Sequence, residues 1–317
     1  MNHLESAFEG KNSFWRYVVM FALLIIIANT IGSLPLIIGV GIKSVSNPEV
    51  LSGLAENPND FSAAGFDPDI GLILMLFPFI AGLIAFMLLI KPLNNQTLKS
   101  TINGTGRIRW NRFFISAGVW TILSAFYLFM YFRFDPSNFT LNNKTVSLIT
   151  LSVISVLLIP FQAAFEEVLF RGYLMQGFAV MLRNRWFPLV MTSVLFGLMH
   201  AFNPEVKEFG FFTMMPQYIL FGLIFGIITI LDDGIEASLG AHSANNAFLC
   251  IMVTNKSSAL QTPALFEQQN VYPWIEFAGL IFTGIVFILV LKLIFGWKDF
   301  SLLFGKIVPV KTIDQIP

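Results

Sequence analysis

Long apolar stretches without a charged residue recur along the whole chain. A helix needs roughly 20 apolar residues to cross a bilayer, and most stretches of about that length here lack Asp, Glu, Lys and Arg, while the last contains Glu276 and Lys292. They predict eight spans, at residues 17–42, 70–90, 113–132, 145–165 (continuing to about 176), 186–204, 209–231, 237–255 and about 274–295. The pattern therefore predicts an all-α, polytopic membrane protein with about eight transmembrane helices.

The amino-acid composition supports the same class. Of the 317 residues, 56% are hydrophobic and 12% are charged, whereas an ordinary soluble domain carries about 25% charged residues. We expect residues 1–317 to form a single membrane domain, with the lipid bilayer as its surroundings. Basic and acidic residues are equal at 19 each, so no bulk charge indicates a nucleic-acid partner.

Charges in the connecting loops predict the orientation, because cytoplasmic loops are enriched in Lys and Arg. The loop 91–112 carries five basic residues and no acid, whereas the loop 47–69 carries five acids and no base. The acidic turn with Asp232, Asp233 and Glu236 is an exception, because this topology places it inside. We expect both termini to be cytoplasmic, in a bacterial cytoplasmic (inner) membrane.

Ionisable side chains inside the predicted spans mark a candidate site. They are Glu166, Glu167, His200 and His242, and an ionisable group at mid-bilayer costs roughly 2.5 to 3.5 kcal/mol or more. Counted from the expected cytoplasmic ends, Glu166, His200 and His242 lie between about 12 and about 21 Å deep. Each residue alone also fits packing or an interfacial position, but their coincidence on three predicted helices favours a site.

Helical spacing separates the two adjacent glutamates. Residues four apart share a helix face, whereas neighbours diverge by about 100°. Glu167 therefore faces Arg171, and we predict that this pair is neutralised and supports the helix. Glu166 points elsewhere, and a partly desolvated carboxylate is suited to act as a general base.

Three short motifs resemble those of a known family. They are EEVLFR with Glu166, Glu167 and Arg171, FGLMH with Phe196 and His200, and HSANN with His242 and Asn246. In order and rough spacing they resemble the motifs of the CPBP intramembrane proteases. That family includes the type II CAAX prenyl endopeptidases and bacterial proteins once called abortive-infection or bacteriocin-immunity proteins. We place the motif-bearing catalytic core at about 145–255.

This resemblance implies an intramembrane endopeptidase, a hydrolase usually classed with the metalloproteases. It implies hydrolysis of a peptide bond in a membrane-associated peptide or protein. In this arrangement Glu166 activates a water molecule and His200 is its partner. His242 and Asn246 stabilise the oxyanion.

A role for a metal is open at this point. Glu166, His200 and His242 form a ligand set that zinc or another divalent metal accepts, with a fourth position left for water. However, the chain has no His-Glu-x-x-His motif, and a glutamate-activated water without metal would use the same residues.

Two other functions could use the same residues. A non-catalytic immunity or scaffold protein would bind a peptide through the same cavity, and a proton-coupled transporter would use the buried carboxylates. The sequence shows no inverted repeat or matching broken spans, which disfavours transport, and the intact motifs favour the enzyme. No motif names the substrate or indicates whether it is prenylated.

Overall fold

The computed structural model describes residues 2–56, 65–142 and 148–308, and helices dominate these ranges. The predicted all-α class is confirmed. The start of the predicted fourth span, part of the acidic loop 47–69 and the C-terminal residues from 309 onward lie outside the described residues. The α-helices are α1 (Phe14–Asn29), α2 (Leu34–Ser46), α3 (Glu49–Glu56), α4 (Pro68–Asn94), α5 (Leu98–Ile102), α6 (Trp110–Phe134), α7 (Leu148–Glu167), α8 (Met175–Leu182), α9 (Trp186–Met199), α10 (Pro204–Phe209), α11 (Phe211–Asp232), α12 (Glu236–Met252) and α13 (Pro273–Phe295).

Shorter elements complete the described chain. A π-helix (Val168–Leu174) joins α7 to α8. Turns of 3-10 helix cover Glu5–Glu9, Pro136–Asn138 and Phe300–Phe304. A small sheet has β3 (Phe266–Gln268) at its centre, antiparallel to β1 (Phe139–Leu141) and parallel to β2 (Val253–Thr254).

Within the described residues, six helical segments are long and apolar enough to cross a membrane, so the chain is a polytopic integral membrane protein. They are Phe14–Ser46, Pro68–Asn94, Trp110–Phe134, Leu148–Leu182, Phe211–Asp232 and Pro273–Phe295. The predicted fifth and seventh spans correspond to α9, with 14 residues, and α12, with 17 residues. At 1.5 Å per residue these helices are about 21 and about 25 Å long, short of the roughly 30 Å hydrocarbon core. The predicted count of eight spans is therefore not confirmed.

The short length of α9 has a local cause. The predicted span continued to residue 204, but the helix ends at Met199 and His200 is its C-terminal cap. A turn over residues 200–203 then leads to Pro204, the first residue of α10, and a residue that precedes proline disfavours helical geometry. His200 therefore lies at a helix end rather than within a continuous span.

Helix α12 packs between α6 and α7, and small side chains allow the close contact. A Cβ atom on Gly240 would collide with the backbone carbonyl of Phe113 in α6. Ala237 and Ala241 are also buried along this helix. Small residues let helix backbones approach closely within a membrane, and this approach brings the next residue, His242, against α7.

The acidic turn and the basic loop meet at one end of the helix bundle. Arg109 pairs with Glu236 at 2.6 Å and with Asp232 at 3.3 Å. Arg112 also lies 3.3 Å from Asp232. The prediction that loop 91–112 and this turn lie on the same side is confirmed, and the basic loop neutralises the acids that conflicted with the charge pattern.

Both ends of the described chain lie at this same end of the bundle. The backbone N–H of His3 donates to Asp233 Oδ1 at 2.7 Å, and the N–H of Ile307 donates to the carbonyl of Arg183 at 3.1 Å. The two ends thus lie on one side, and the compartment that this side faces stays a prediction.

His3 lies outside the predicted spans but is fully buried beneath the π-helix. Its Nε2 lies 3.1 Å from the Arg171 carbonyl oxygen, so Nε2 carries a proton and donates. The amide of Gln176 faces His3 Nδ1 at 3.4 Å and donates to it. Burial lowers the pKa of His3, although the Arg171 carbonyl and the nearby charge of Asp233 oppose this shift. His3 is therefore held neutral.

Because the pKa of His3 is lower in the folded chain than the ordinary value of about 6.5, its contribution to the free energy of unfolding is complete above about pH 6.5 and is lost as the pH falls. We expect the melting temperature of the detergent-solubilised protein to fall more steeply between pH 7.5 and 5.5 than that of His3→Gln. Parallel pH dependence in both proteins would contradict this assignment.

Candidate active site

The predicted ion pair between Glu167 and Arg171 is present and completely buried. Arg171 Nη1 donates to Glu167 Oε1 at 2.8 Å, and neither side chain has exposed surface. The guanidinium also lies 4.3 Å from the ring centroid of Phe196 in α9. A second N–H group donates to the Gly222 carbonyl of α11 at 3.4 Å. The pair thus joins the helix of the first motif to two other helices.

The backbone that carries Arg171 differs from the regular α-helix that the spacing argument assumed. A π-helix begins at Val168, directly after Glu167, and every residue from Val168 to Leu174 is buried. Such segments, with i→i+5 hydrogen bonds, occur frequently at functional sites. The Arg171 carbonyl at its centre accepts the hydrogen bond from His3. The interval of four residues predicted the correct pair but did not predict the π-helix.

Glu166 keeps one carboxylate oxygen without a hydrogen bond. The amide of Gln162 donates to its Oε1 at 2.6 Å. Its Oε2 is buried and has no hydrogen-bond partner within the described part of the chain. His242 Nε2 lies 3.5 Å from Oε2. One oxygen of each glutamate, Oε2, has no hydrogen bond from the described residues, so the two residues differ in their partners and exposure. Glu167 is paired with Arg171 as predicted and has no exposed surface, whereas Glu166 is held by a neutral amide and a tenth of its side chain is exposed.

His242 lies between the two glutamates. Its Nδ1 is 2.8 Å from Glu167 Oε1 and donates to this carboxylate, which directs Nε2 toward Glu166. The ring stacks on Phe225 at a centroid distance of 5.1 Å. These contacts fix the orientation of the imidazole, and the predicted proximity of Glu166 and His242 is present.

Asn246 reaches Glu166 through Gln162, a residue that the motif reasoning missed. Asn246 Nδ2 donates to Gln162 Oε1 at 2.9 Å, and Gln162 in turn donates to Glu166. The signal for Gln162 was available, because it is an amide within an apolar stretch, four residues before Glu166. At that spacing the two side chains share one helix face.

His200 is held at the end of α9 by a backbone carbonyl and an aromatic ring. Its Nδ1 donates to the Phe196 carbonyl at 2.8 Å, and its ring stacks on Tyr218 at a centroid distance of 4.5 Å. The bond to Phe196 leaves Nε2 available for other chemistry. The histidine directly beside Glu166 is therefore His242. Tyr218 is a neighbour of His200 that the motifs did not indicate.

The candidate metal ligands do not converge. Within residues 2–56, 65–142 and 148–308, no three His, Cys, Asp or Glu side chains lie close enough together to hold a metal ion. Glu166 and His242 are neighbours, but His200 does not complete a ligand set with them. The arrangement does not fit the Glu166, His200 and His242 site that the sequence left open, and metal binding stays a prediction.

Removal of Arg171 should destabilise the fold, because it leaves the Glu167 carboxylate buried and without its counter-ion. We expect Arg171→Met to lower the free energy of unfolding by about 3 to 5 kcal/mol, measured as loss of melting temperature in detergent. The double variant Glu167→Gln/Arg171→Met removes both charges and should recover part of this loss. An Arg171→Met protein that melts like wild type but has lost all activity would contradict the supporting role.

Comparison with known proteins agrees with the motifs. Residues 145–248 match the family described as type II CAAX prenyl endopeptidase Rce1-like. The chain is also 28% identical over 293 residues to the uncharacterised protein YyaK of Bacillus subtilis. The matched region covers 90% of this chain and 95% of that protein. No solved structure matches the chain significantly. The segment that carries all three motifs is therefore similar to the Rce1-like type II CAAX prenyl endopeptidases, in agreement with the resemblance to the CPBP proteases.

Proposed function

We propose that this protein is an intramembrane endopeptidase that hydrolyses a peptide bond in a membrane-associated peptide or protein. The observation that carries the proposal is the difference between two adjacent carboxylates. Glu167 is bound by Arg171 and His242 and has no exposed surface. Among the described residues, Glu166 is held only by the neutral amide of Gln162, a tenth of its side chain is exposed, and its Oε2 lies beside His242 without a hydrogen bond. The match of the motif segment to a family of CAAX endopeptidases supports the proposal.

Glu166 is the proposed general base. Its Oε2 accepts a proton from water as the water oxygen bonds to the substrate carbonyl carbon. The same proton can then pass to the leaving nitrogen as the C–N bond breaks. His200 is the proposed partner in this proton exchange, because its Nδ1 is committed to the Phe196 carbonyl and its Nε2 is available.

His242 and Asn246 are the proposed donors to the oxyanion. A donor role for His242 requires a proton on Nε2, because Nδ1 is committed to Glu167. In that state His242 donates from Nε2 while Nδ1 donates to Glu167. Asn246 uses Nδ2 to donate to Gln162, and the second N–H of that amide can donate to the developing oxyanion.

A peptide-binding immunity or scaffold protein is the alternative in which the same cavity performs no chemistry. The two proposals differ in one result, since the scaffold needs no general base. The isosteric variant Glu166→Gln keeps the shape of the site and removes the base, so it separates them.

We expect Glu166→Gln to lower cleavage by about 100- to 10,000-fold while expression and membrane insertion stay at wild-type levels. An untargeted comparison of membrane peptides from cells with wild-type protein and with Glu166→Gln would reveal peptides whose cleavage depends on this carboxylate. Purified substrate candidates would then give the rates.

Glu276→Gln provides a matched control. Glu276 lies in the first turn of α13 and accepts a hydrogen bond from Gln268 at 3.2 Å, outside the motif segment. We expect this variant to cleave like wild type. A Glu166→Gln protein that still cleaves at the wild-type rate would contradict the mechanism.

The side-chain arrangement leads us to expect cleavage without a bound metal. We predict that the purified protein contains less than one equivalent of zinc or other divalent metal by elemental analysis and keeps its cleavage rate after treatment with a chelator. Loss of activity on chelation, with recovery when zinc is added back, would contradict this expectation.

A further inference from the structure

Five polar side chains form a continuous series of hydrogen bonds across α6, α12 and α7. Trp120 Nε1 donates to Asn245 Oδ1 at 3.2 Å, and Asn245 Nδ2 donates to Asn246 Oδ1 at 2.9 Å. Asn246 Nδ2 donates to Gln162 Oε1 at 2.9 Å, and Gln162 Nε2 donates to Glu166 Oε1 at 2.6 Å. We call this series the Trp120 relay.

The two ends of the Trp120 relay fix its direction. An indole N–H can only donate, and an ionised carboxylate can only accept. Each of the three amides between them accepts through its oxygen and donates through its nitrogen. Reversal of any one amide would place two NH2 groups or two oxygens against each other. All three amide dipoles therefore point their positive ends toward Glu166, and such chains polarise cooperatively.

Gln162 is the point at which the relay touches both parts of the proposed chemistry. It is buried, its amide nitrogen occupies one oxygen of Glu166, and its amide oxygen holds the nitrogen of Asn246. One residue thus sets the position of the proposed base relative to the proposed oxyanion donor. Because Oε1 of Glu166 is occupied, Oε2 is the oxygen left for the proton of water.

We propose that Gln162 is a positioning residue for this site, which selects Glu166 Oε2 as the reacting oxygen and aligns Asn246 through a relay anchored at Trp120. The proposal rests on the proposed function for its catalytic meaning. The hydrogen bond from Gln162 to Glu166 is independent of any substrate.

A substitution at Gln162 removes this donor and keeps the charged and titratable neighbours of Glu166, which include Arg171, His200 and His242. The hydrogen bond from Gln162 to the carboxylate is charge-assisted. Its loss changes the vibrational frequency of the carboxylate.

Infrared spectroscopy of the full-length protein in detergent reports this hydrogen bond directly. The carboxylate stretch of Glu166 is assigned by its loss in Glu166→Gln. We expect Gln162→Met, which has similar size and no hydrogen bonds, to shift this band, since a hydrogen bond to a charged group is lost. With a cleaved substrate, kcat should fall while KM stays nearly unchanged, because the base is no longer held in position.

Gln268→Met is the matched control, because Gln268 is also a buried glutamine that donates to a glutamate, Glu276. We expect no change in the Glu166 band in this variant. An unchanged band in a folded Gln162→Met protein would overturn the proposal and leave Gln162 as a packing residue.

Trp120→Phe tests the relay at its far end and also serves if Gln162→Met does not accumulate. We expect a smaller shift in the same direction, and no additional shift when Trp120→Phe is combined with Gln162→Met, because the series is already broken. An equal and additive shift in the double variant, or no shift from Trp120→Phe alone, would overturn the relay. If the variants shift the Glu166 band as expected but wild type cleaves no substrate, the proposed function fails while the positioning result stands.

Discussion

Arg171 and Glu167 form a salt bridge that has no exposed surface, and the rest of the site depends on it. In a low-dielectric interior each charge alone would be strongly unfavourable, so each side chain must keep its partner. Arg171 further contacts Phe196 of α9 and Gly222 of α11, and Glu167 binds His242 of α12. One ion pair therefore fixes three helices around the first motif.

The difference between the two glutamates follows from this constraint. Arg171 and His242 both bind Glu167. Glu166 therefore accepts a hydrogen bond from an amide on one oxygen, and His242 lies 3.5 Å from the other. The membrane site thus contains a carboxylate that is held in place and still chemically available. A general base needs this combination of fixed position and free acceptor capacity.

Local spacing made part of this site predictable. The interval of four residues between Glu167 and Arg171 lies within one turn of one helix, so the pair could be inferred without tertiary information. The proximity of His242 to Glu166 agrees with the similar depths that the sequence predicted for these residues. The opposing charges of loop 91–112 and the 232–236 turn were visible, but their mutual pairing was not.

The remainder depends on tertiary structure that local spacing does not encode. The π-helix after Glu167 depends on packing around a fully buried segment and on the contact with His3, more than 160 residues earlier in the chain. Gln162 gains its significance only when α12 places Asn246 beside it. The charge-free stretch overestimated the length of α9, because a count of charged residues does not detect the turn at His200.

The central claim is that Glu166 takes part in the reaction while Glu167 supports the structure of the site. The most direct test is the ratio of the cleavage rates of Glu166→Gln and Glu167→Gln on the same substrate, each normalised to folded protein. The account predicts that Glu167→Gln keeps part of the wild-type rate while Glu166→Gln loses it. Equal loss in both variants, or greater loss in Glu167→Gln, would contradict the account.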